Sequence, residues 1–311
     1  MSEKPVGTNA SPPDYDQALA QGWLPIREVA RVTGVNAVTL RAWERRYGLI
    51  IPYRTAKGHR LYSAEHVQRI QQALMWLNRG VSVSQIKPLL DRPPAHNEPV
   101  NNDWHAWCQT LSRAISDLAE HTLDSQFNQV MSLYPTRTLC QYLLIPLLSE
   151  LEQRWQGQFG AQLEQGFFNA WLRSKLGARI YHNNRSLSGA PVVLINHSDR
   201  AFEPHLWLSA LLISSSHCPV QVFDAPLPSG ELALAVERLK ARAVVLYSSK
   251  PINTLHLPKL LNGVECPTLI AGPTVSIHTT ELTALTTEIA GLFLAHDPVE
   301  THQRLAQLGL L

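Results

Sequence analysis

The chain has 311 residues, of which 45% are hydrophobic and 17% charged. This composition is that of an ordinary globular protein of about two domains, and it excludes a disordered, collagen-like or wholly coiled-coil chain. The net charge is only +2, but residues 24–92 hold 12 Lys and Arg against 4 Asp and Glu, whereas the remainder holds 15 against 21. Such segregation predicts that one end of the chain meets a polyanion and the other does not.

The first 22 residues are rich in Ser, Pro, Gly and Asn and lack an apolar segment, which predicts a disordered leader rather than a secretory signal. No apolar run approaches the roughly 18–20 residues that span a bilayer. The cysteines are scattered without a CxxC pair, so we expect buried free thiols in a reducing compartment. The histidines show no spacing typical of a metal site. We therefore expect a cytoplasmic, nucleoid-associated protein without a bound metal.

Residues 23–92 are predicted to form an all-α winged helix-turn-helix domain. The segment IREVARVTG is amphipathic, and Gly34 turns the chain after it. Asn36 is placed to cap the next helix, AVTLRAWERRY, and Gly48 to end it. Two helices joined by a short turn that contains glycine are typical of a helix-turn-helix.

The second of these helices has two distinct faces. Helical spacing puts Leu40, Trp43 and Tyr47 on one face, which we expect to pack against the rest of the domain. Arg41 and Arg45 lie on the other face, which suits entry into a major groove. We also expect Glu44 to orient an arginine rather than to contact a base.

A basic hairpin follows the helical pair. The segment YRTAKGHRLYS is predicted to form a wing that grips phosphates, and Ser63 to cap a third helix that runs to Trp76. The basic residues of the wing surround its glycine: Arg54, Lys57, His59 and Arg60.

The order TGV, TLRAWERRYGL, a P-x-R wing entry and G-x-R-x-Y, over about 70 residues, resembles the DNA-binding domain of the MerR family. The resemblance implies base or phosphate contacts at seven matching positions: Thr39, Arg41, Arg45, Arg54, Lys57, Arg60 and Tyr62. Three neighbouring polar residues complete the candidate DNA-binding set: Asn36, Arg46 and His59.

The resemblance also implies a homodimer that binds pseudo-palindromic, double-stranded promoter DNA and acts with RNA polymerase. Many members of the family follow this domain with a long dimerisation helix. Here Pro93, Pro94 and Pro99 exclude a continuous helix, so residues 93–103 are predicted to be a linker. We therefore expect dimerisation through later parts of the chain.

Beyond the linker the pattern of apolar residues changes twice. Over residues 104–186 they recur at helical spacing with no β-rich run, which predicts a four-helix bundle that Pro135 and Pro146 break or kink. Over residues 187–311 five short β-branched runs each precede a helical segment. This alternation predicts an α/β doubly wound five-strand parallel sheet covered by helices.

This arrangement resembles the cobalamin-dependent light regulators of the CarH and LitR kind and their relatives of the MlrA and BluR kind. In the photoreceptor members, a Trp-His pair and a Glu-His pair on the bundle cover the cobalamin, and a histidine after the first strand is its lower ligand. Here Gln156 follows Trp155, and Gln165 and Gly166 stand at the Glu-His positions.

The loop after the first strand is altered as well. Glu203 and His205 are kept, but Leu208 replaces the expected glycine, and with Trp207 it is expected to fill space that the cobalamin tail needs. His205 by itself is better interpreted as a histidine held within its own loop. The candidate effector or vestigial cobalamin site comprises the following residues: Trp155, Asp199, Glu203, His205, Ser248 and Gly272.

These features predict a DNA-binding transcription regulator with no expected cofactor. The resemblance suggests that its sensor domain takes another ligand or a regulatory protein, such as a cyclic-di-GMP signalling protein. A cobalamin-dependent, light-responsive repressor is the alternative within the family. A corrinoid enzyme module is the alternative outside it, but the chain has no GxSxG, GxxxxGK[ST], GxGxxG or HExxH motif, so no enzyme activity is expected.

Overall fold

The computed structural model describes residues 15–91, 103–157, 159–198 and 200–311. Two compact units divide the chain: one comprises residues up to 106 together with 127–138, and the other comprises residues 107–126 and 139–311. Most of the predicted linker, and with it Pro93, Pro94 and Pro99, lies outside the described residues. Within them no helix is long and apolar enough to cross a membrane.

The first unit contains the predicted winged helix-turn-helix. Helix α1 precedes it, and β1, β3 and β2 form a small antiparallel sheet in that order. The elements run as follows: α1 (Tyr15–Ala20), β1 (Leu24–Pro25), α2 (Ile26–Thr33), α3 (Ala37–Ala42) continuing as a π-helical turn (Trp43–Tyr47), β2 (Tyr53–Arg54), β3 (Arg60–Tyr62), α4 (Ala64–Leu77) and α5 (Val83–Asp91).

Two features of this unit differ from the expectation. The leader was expected to be disordered to residue 22, but Tyr15–Ala20 form a helix, in which Ala18 is buried and the ring of Tyr15 lies 5.3 Å from that of His59. The domain is also not purely helical, since Leu24 and Pro25 pair with β3 and add a strand to the wing. Residues 1–14 lie outside the described part of the chain.

The third helix begins as predicted. Ser63 accepts a hydrogen bond from the backbone of His66, whose Nδ1 accepts one from the Ser63 backbone, so the two residues close a capping box. This satisfies backbone donors that the helix start would otherwise leave without acceptors. The wing hairpin is therefore followed directly by a capped helix, α4.

The four predicted helical segments between the wing and the sheet are present. Pro135 separates the second from the third, and Pro146 lies in the first turn of α9. Their bounds are α6 (Asp103–Ser116), α7 (Glu120–Leu133), α8 (Thr136–Leu139) continuing through a π-helical turn (Cys140–Leu144) into α9 (Ile145–Arg154), and α10 (Ala161–Asn184).

The predicted five-strand parallel sheet is confirmed, with strand order β5-β4-β6-β7-β8. Strand order reverses at β4, so the loops after β4 and β6 border the crevice where doubly wound sheets bind ligands. The elements are β4 (Val192–Asn196), α11 (Pro204–Ser215), β5 (Val220–Phe223), α12 (Ser229–Leu239), β6 (Ala243–Tyr247), a 3₁₀ turn (Thr254–His256), α13 (Leu257–Leu260), β7 (Thr268–Ala271), α14 (Thr274–Ile277), α15 (Thr279–Glu288), β8 (Leu292–Ala295) and α16 (Pro298–Gln307).

The central strands are buried along their whole length, because helices cover both faces of a parallel sheet. On one face Val193, Ile195 and Val244 pack in one apolar cluster with Leu232 of α12 and Leu257 of α13. This core fixes the ends of β4, β5 and β6, from which the loops at the carboxyl edge of the sheet emerge.

Candidate nucleic-acid interface and sensor-domain site

The helical pair is held by local capping. Gly34 adopts a left-handed conformation (φ 71°) and its N–H donates to the Ala30 carbonyl, which ends α2. The side chain of Asn36 accepts a hydrogen bond from the backbone of Thr39 at 2.9 Å and so begins α3. The cap at Asn36 and a turn at Gly34 were predicted. The cap uses one of the two lone pairs of the Asn36 Oδ1 atom.

The two faces of the recognition helix are as predicted. Leu40 and Trp43 are buried and Tyr47 is half-buried. The Trp43 indole N–H donates to the Leu133 carbonyl at 2.8 Å, within the same compact unit. This bond, 90 residues apart in sequence, ties the recognition helix to the end of α7.

The cationic face is open. Arg45 and Arg46 are exposed and Arg41 is partly exposed, and Lys57 and His59 are exposed on the wing. Among the residues that the structure describes, none forms an ion pair with these three arginines or with Lys57. Their charges are therefore available to a polyanion.

Thr39 and Tyr62 do not lie where a DNA contact would need them. Thr39 is fully buried because it follows the helix cap on the packed side, next to Leu40. Tyr62 is 1% exposed, and burial raises its pKa to about 12. The structure thus gives both side chains packing roles and contradicts the expectation that they face DNA.

Glu44 orients two arginines of the wing, which confirms its predicted role. Its Oε1 accepts from Arg54 at 2.5 Å and its Oε2 from Arg60 at 2.6 Å. Burial raises the pKa of Glu44, but the hydrogen bonds and charges of the two guanidinium groups outweigh it and leave the pKa lowered. One carboxylate on the recognition helix therefore fixes both strands of the wing hairpin.

Replacing Glu44 with Gln is expected to loosen the wing. Two guanidinium groups would keep only one neutral acceptor, at a cost of about 1–3 kcal/mol in the free energy of unfolding at pH 7. Because the folded-state pKa of Glu44 is lowered, its contribution is present above the unfolded pKa and is lost as pH falls through the folded one. Urea unfolding at pH 7 and pH 3 should show a smaller difference between variant and wild type at pH 3.

Glu237→Gln is the matched control for this substitution, since Glu237 is exposed and belongs to the other unit. An E44Q protein with unchanged stability at pH 7 would contradict the assigned role of the carboxylate.

The loop after β4 is built on buried polar groups. The Asn196 amide donates to the carbonyls of Arg200 (2.6 Å) and Asp224 (3.2 Å), and Asn196 Oδ1 accepts from the Ser198 backbone at 3.0 Å. The Ser198 hydroxyl lies 2.9 Å from Glu203 Oε2. These hydrogen bonds hold the Glu203 carboxylate in place at the start of α11.

Glu203 and His205 lie together at the start of α11, as predicted. Glu203 is fully buried, which raises its pKa, but the side chains of His205, Ser249 and Ser198 outweigh burial and leave the pKa lowered. His205 Nδ1 lies 3.8 Å from Glu203 Oε1. The His205 ring stacks on that of Tyr247, with centroids 6.2 Å apart and planes at 2°.

Gly272 and Ser248 lie beside Tyr247, the tyrosine on which His205 stacks. Gly272 has φ 97°, and a Cβ there would lie 2.7 Å from the Ser248 carbonyl oxygen and 2.8 Å from Cζ of Tyr247. The Ser248 hydroxyl donates to the Lys250 carbonyl at 2.9 Å. The Tyr247 ring therefore occupies the space that the glycine leaves open.

The bulky residues of α11 are packed. Leu208 is fully buried, and the Trp207 indole donates to Asp224 Oδ1 at 2.7 Å. A Cβ on Gly177 would lie 3.5 Å from the Trp207 ring, so the ring covers that part of α10. Both side chains therefore have packing roles, and the expectation that they fill space needed by a cobalamin tail stays a prediction.

Trp155 is held by a polar network of the helical segments. Its indole donates to Glu164 Oε1 at 2.8 Å, and Glu164 also pairs with Arg154. Arg154 donates to the Ser112 hydroxyl at 2.6 Å. This network could not be predicted, because its members come from three helices with no shared spacing.

A buried thiol borders the same network. Cys108 donates to Glu150 Oε2 at 3.2 Å, and burial together with this carboxylate raises its pKa to about 12. Cys108, Cys140 and Cys218 are buried free thiols as predicted, while Cys266 is only partly buried.

The structure thus brings four of the six sensor-site candidates to one edge of the sheet, namely Glu203, His205, Ser248 and Gly272. Trp155 lies at the end of α9, and Asp199 lies outside the described residues. Tyr247 was missed, although its position at the end of a buried strand is a signal for this edge. Among the described residues no group of His, Cys, Asp or Glu is arranged to hold a metal ion.

Comparison with known proteins identifies the basic segment. Residues 24–92 match the family model described as "MerR HTH family regulatory protein". The chain is 39% identical over 127 residues, 41% of its length and 51% of the relative's, to the HTH-type transcriptional regulator MlrA of Escherichia coli K12. It is 23% identical over 168 residues, 51% of its length and 56% of the relative's, to the HTH-type transcriptional repressor CarH of Myxococcus xanthus.

The chain thus spans about half the length of the curated relatives it matches. Among solved structures, the monomethylamine corrinoid protein of Methanosarcina barkeri aligns with 66% of this chain and 99% of its own, at 12% identity and a TM-score of 0.49.

Proposed function

Because residues 24–92 form a helix-turn-helix domain of the MerR type, we propose that the chain is a sequence-specific, DNA-binding transcription regulator. The observation that carries the proposal is the open cationic face formed by Arg41, Arg45 and Arg46, beside a wing that Glu44 holds in place. Exposed arginines on a recognition helix suit guanine contacts in the major groove, and the wing cations suit phosphates.

The regulator acts as a homodimer on promoter DNA, together with RNA polymerase, in the cytoplasm. A two-fold protein binds two half-sites about one helical turn apart, so selection of bound duplexes from a random pool should yield an inverted repeat. Analytical ultracentrifugation of the complex should give two chains per duplex. Recovery of no preferred sequence would contradict specific recognition.

We propose further that the sensor domain does not bind adenosylcobalamin. The residues at its sheet edge do not fit the cofactor: the Tyr247 ring fills the space at Gly272, Leu208 is buried where the motif has glycine, and His205 packs on Tyr247 and faces Glu203. No step of regulation is therefore assigned to cobalamin. The domain instead takes a different effector or a regulatory protein, such as a cyclic-di-GMP signalling protein.

Protein purified with excess adenosylcobalamin is expected to elute without the visible absorbance of a corrin, which protein side chains do not contribute. Because the expectation rests on the packing of Tyr247 against Gly272 and His205 and not on photochemistry, it holds in darkness as well as in light. Co-eluting corrin at one equivalent per chain would support the cobalamin-dependent repressor instead. Circular dichroism of the same sample serves as the control for folding.

A further inference from the structure

A cleft lies at the carboxyl edge of the sheet, on the face covered by α12 and α13. It has a volume of about 280 Å³ and is lined by segments that follow β4, β5 and β6, the neighbouring strands at which strand order reverses. None of the four sensor-site residues gathered at Tyr247 lines it. Its position is the one at which doubly wound sheets bind ligands.

The lining has two parts. Leu227, Leu257 and Leu260 contribute apolar surface, and Leu257 and Leu260 also belong to the core cluster, so this wall is continuous with the packed core. The polar part consists of five side chains: His197, Ser229, Asn253, His256 and Lys259. The part of the lining that the structure describes includes no carboxylate.

The polar part favours an anion. Lys259 carries a full positive charge, and the two imidazoles can donate hydrogen bonds. Asn253 Oδ1 already accepts from the Leu255 backbone at 3.1 Å, so its amide nitrogen is the atom that remains to face a ligand. Helix α12 begins at Ser229 without a side-chain cap. Its first turn also holds Glu231, an exposed carboxylate outside the lining, so the positive end of this 11-residue helix contributes to the same wall only in part.

We propose that this cleft binds a small metabolite that carries a phosphate group. The phosphate lies against Ser229, His256 and Lys259, and a ring or sugar covers the leucines. A volume of about 280 Å³ is near the lower end of the roughly 300–1,000 Å³ typical of ligand pockets, which limits the ligand to about the size of a nucleoside monophosphate. Binding in this cleft involves the sensor domain alone and does not depend on DNA binding.

Isothermal titration of the full chain with AMP, GMP, the nucleosides adenosine and guanosine, and inorganic phosphate tests this proposal. At least one monophosphate should bind at least 10-fold more tightly than its nucleoside and than inorganic phosphate. Lys259→Gln and His256→Gln should each weaken that binding about 10-fold. Lys240→Gln, which removes the same charge from an exposed position outside the cleft, should leave it unchanged.

Both cleft residues are exposed, so the variants are expected to keep the wild-type unfolding temperature. Absence of monophosphate binding at millimolar concentration would overturn the proposal. Equal affinity for inorganic phosphate would overturn the role of the apolar wall, and binding that survives both substitutions would show that the phosphate lies elsewhere. DNA binding by the same variants, measured separately, distinguishes failure here from failure of the proposed regulatory function.

Discussion

Replacing Arg41 or Arg45 with Ala is expected to weaken binding to the selected operator by about 1–3 kcal/mol for each arginine that contacts a base, which is about 5- to 150-fold in Kd. The physical reason is that a bidentate guanidinium contact cannot be replaced by water without loss of geometry. Fluorescence anisotropy with operator and scrambled duplexes gives both affinities. The loss should be larger on the operator, because a base contact contributes to specificity.

Lys57→Ala should behave differently. Lys57 is an exposed wing cation, so its loss should weaken operator and scrambled duplex alike and reduce the salt slope of binding by about one. Arg238→Ala is the matched control, since Arg238 is exposed on α12, outside the DNA-binding unit. Unchanged operator affinity in both arginine variants would show that another face of the domain enters the groove.

The recognition helix could be predicted from the sequence because the features that define it are local. The cap at Asn36, the left-handed Gly34 and the helical spacing of Leu40 and Trp43 depend on residues a few positions apart. The burial of Thr39 could not be predicted in the same way, because neighbours distant in sequence decide whether a residue at the edge of the packed face is buried or exposed. The bond from Trp43 to Leu133 is such a distant contact.

The same contrast holds in the sensor domain. The five strands could be predicted from their short β-branched runs, but their order in the sheet was not part of the prediction. Substitutions such as Leu208 for glycine indicated that the cofactor site had changed. The packing at this site could not be predicted. Tyr247 stacks on His205 and approaches Gly272, and these residues follow or end three different strands that come together only in the folded sheet.

Unit boundaries depend on distant contacts too. The compact unit around the winged domain takes in residues 103–106 and 127–138, and Trp104 donates to the Gly80 carbonyl at 2.9 Å within it. The predicted boundary at residue 92 remains a prediction, but a fragment ending there would lose this bond and the one from Trp43. Tests of DNA binding are therefore best made with the full chain.

Gly272→Ala is expected to be among the most destabilising single substitutions in the sensor domain. The added Cβ would impose a left-handed conformation on a non-glycine residue and would approach the Ser248 carbonyl oxygen to 2.7 Å and the Tyr247 ring to 2.8 Å. Strain and overpacking together should cost about 2–5 kcal/mol in the free energy of unfolding. Urea unfolding of the full chain at pH 7 measures the loss.

Gly291→Ala separates the two causes. Gly291 has a similar left-handed φ of 81°, but its Cβ would meet its nearest neighbour, Pro267, only at 3.9 Å. It should therefore lose only the conformational part, about 1–3 kcal/mol. Equal losses of unfolding free energy in the two variants would show that the Tyr247 ring and the Ser248 carbonyl move aside at little cost. The sheet edge could then also open for a cofactor tail. A clearly larger loss at Gly272 would instead support the closed site on which the exclusion of adenosylcobalamin depends.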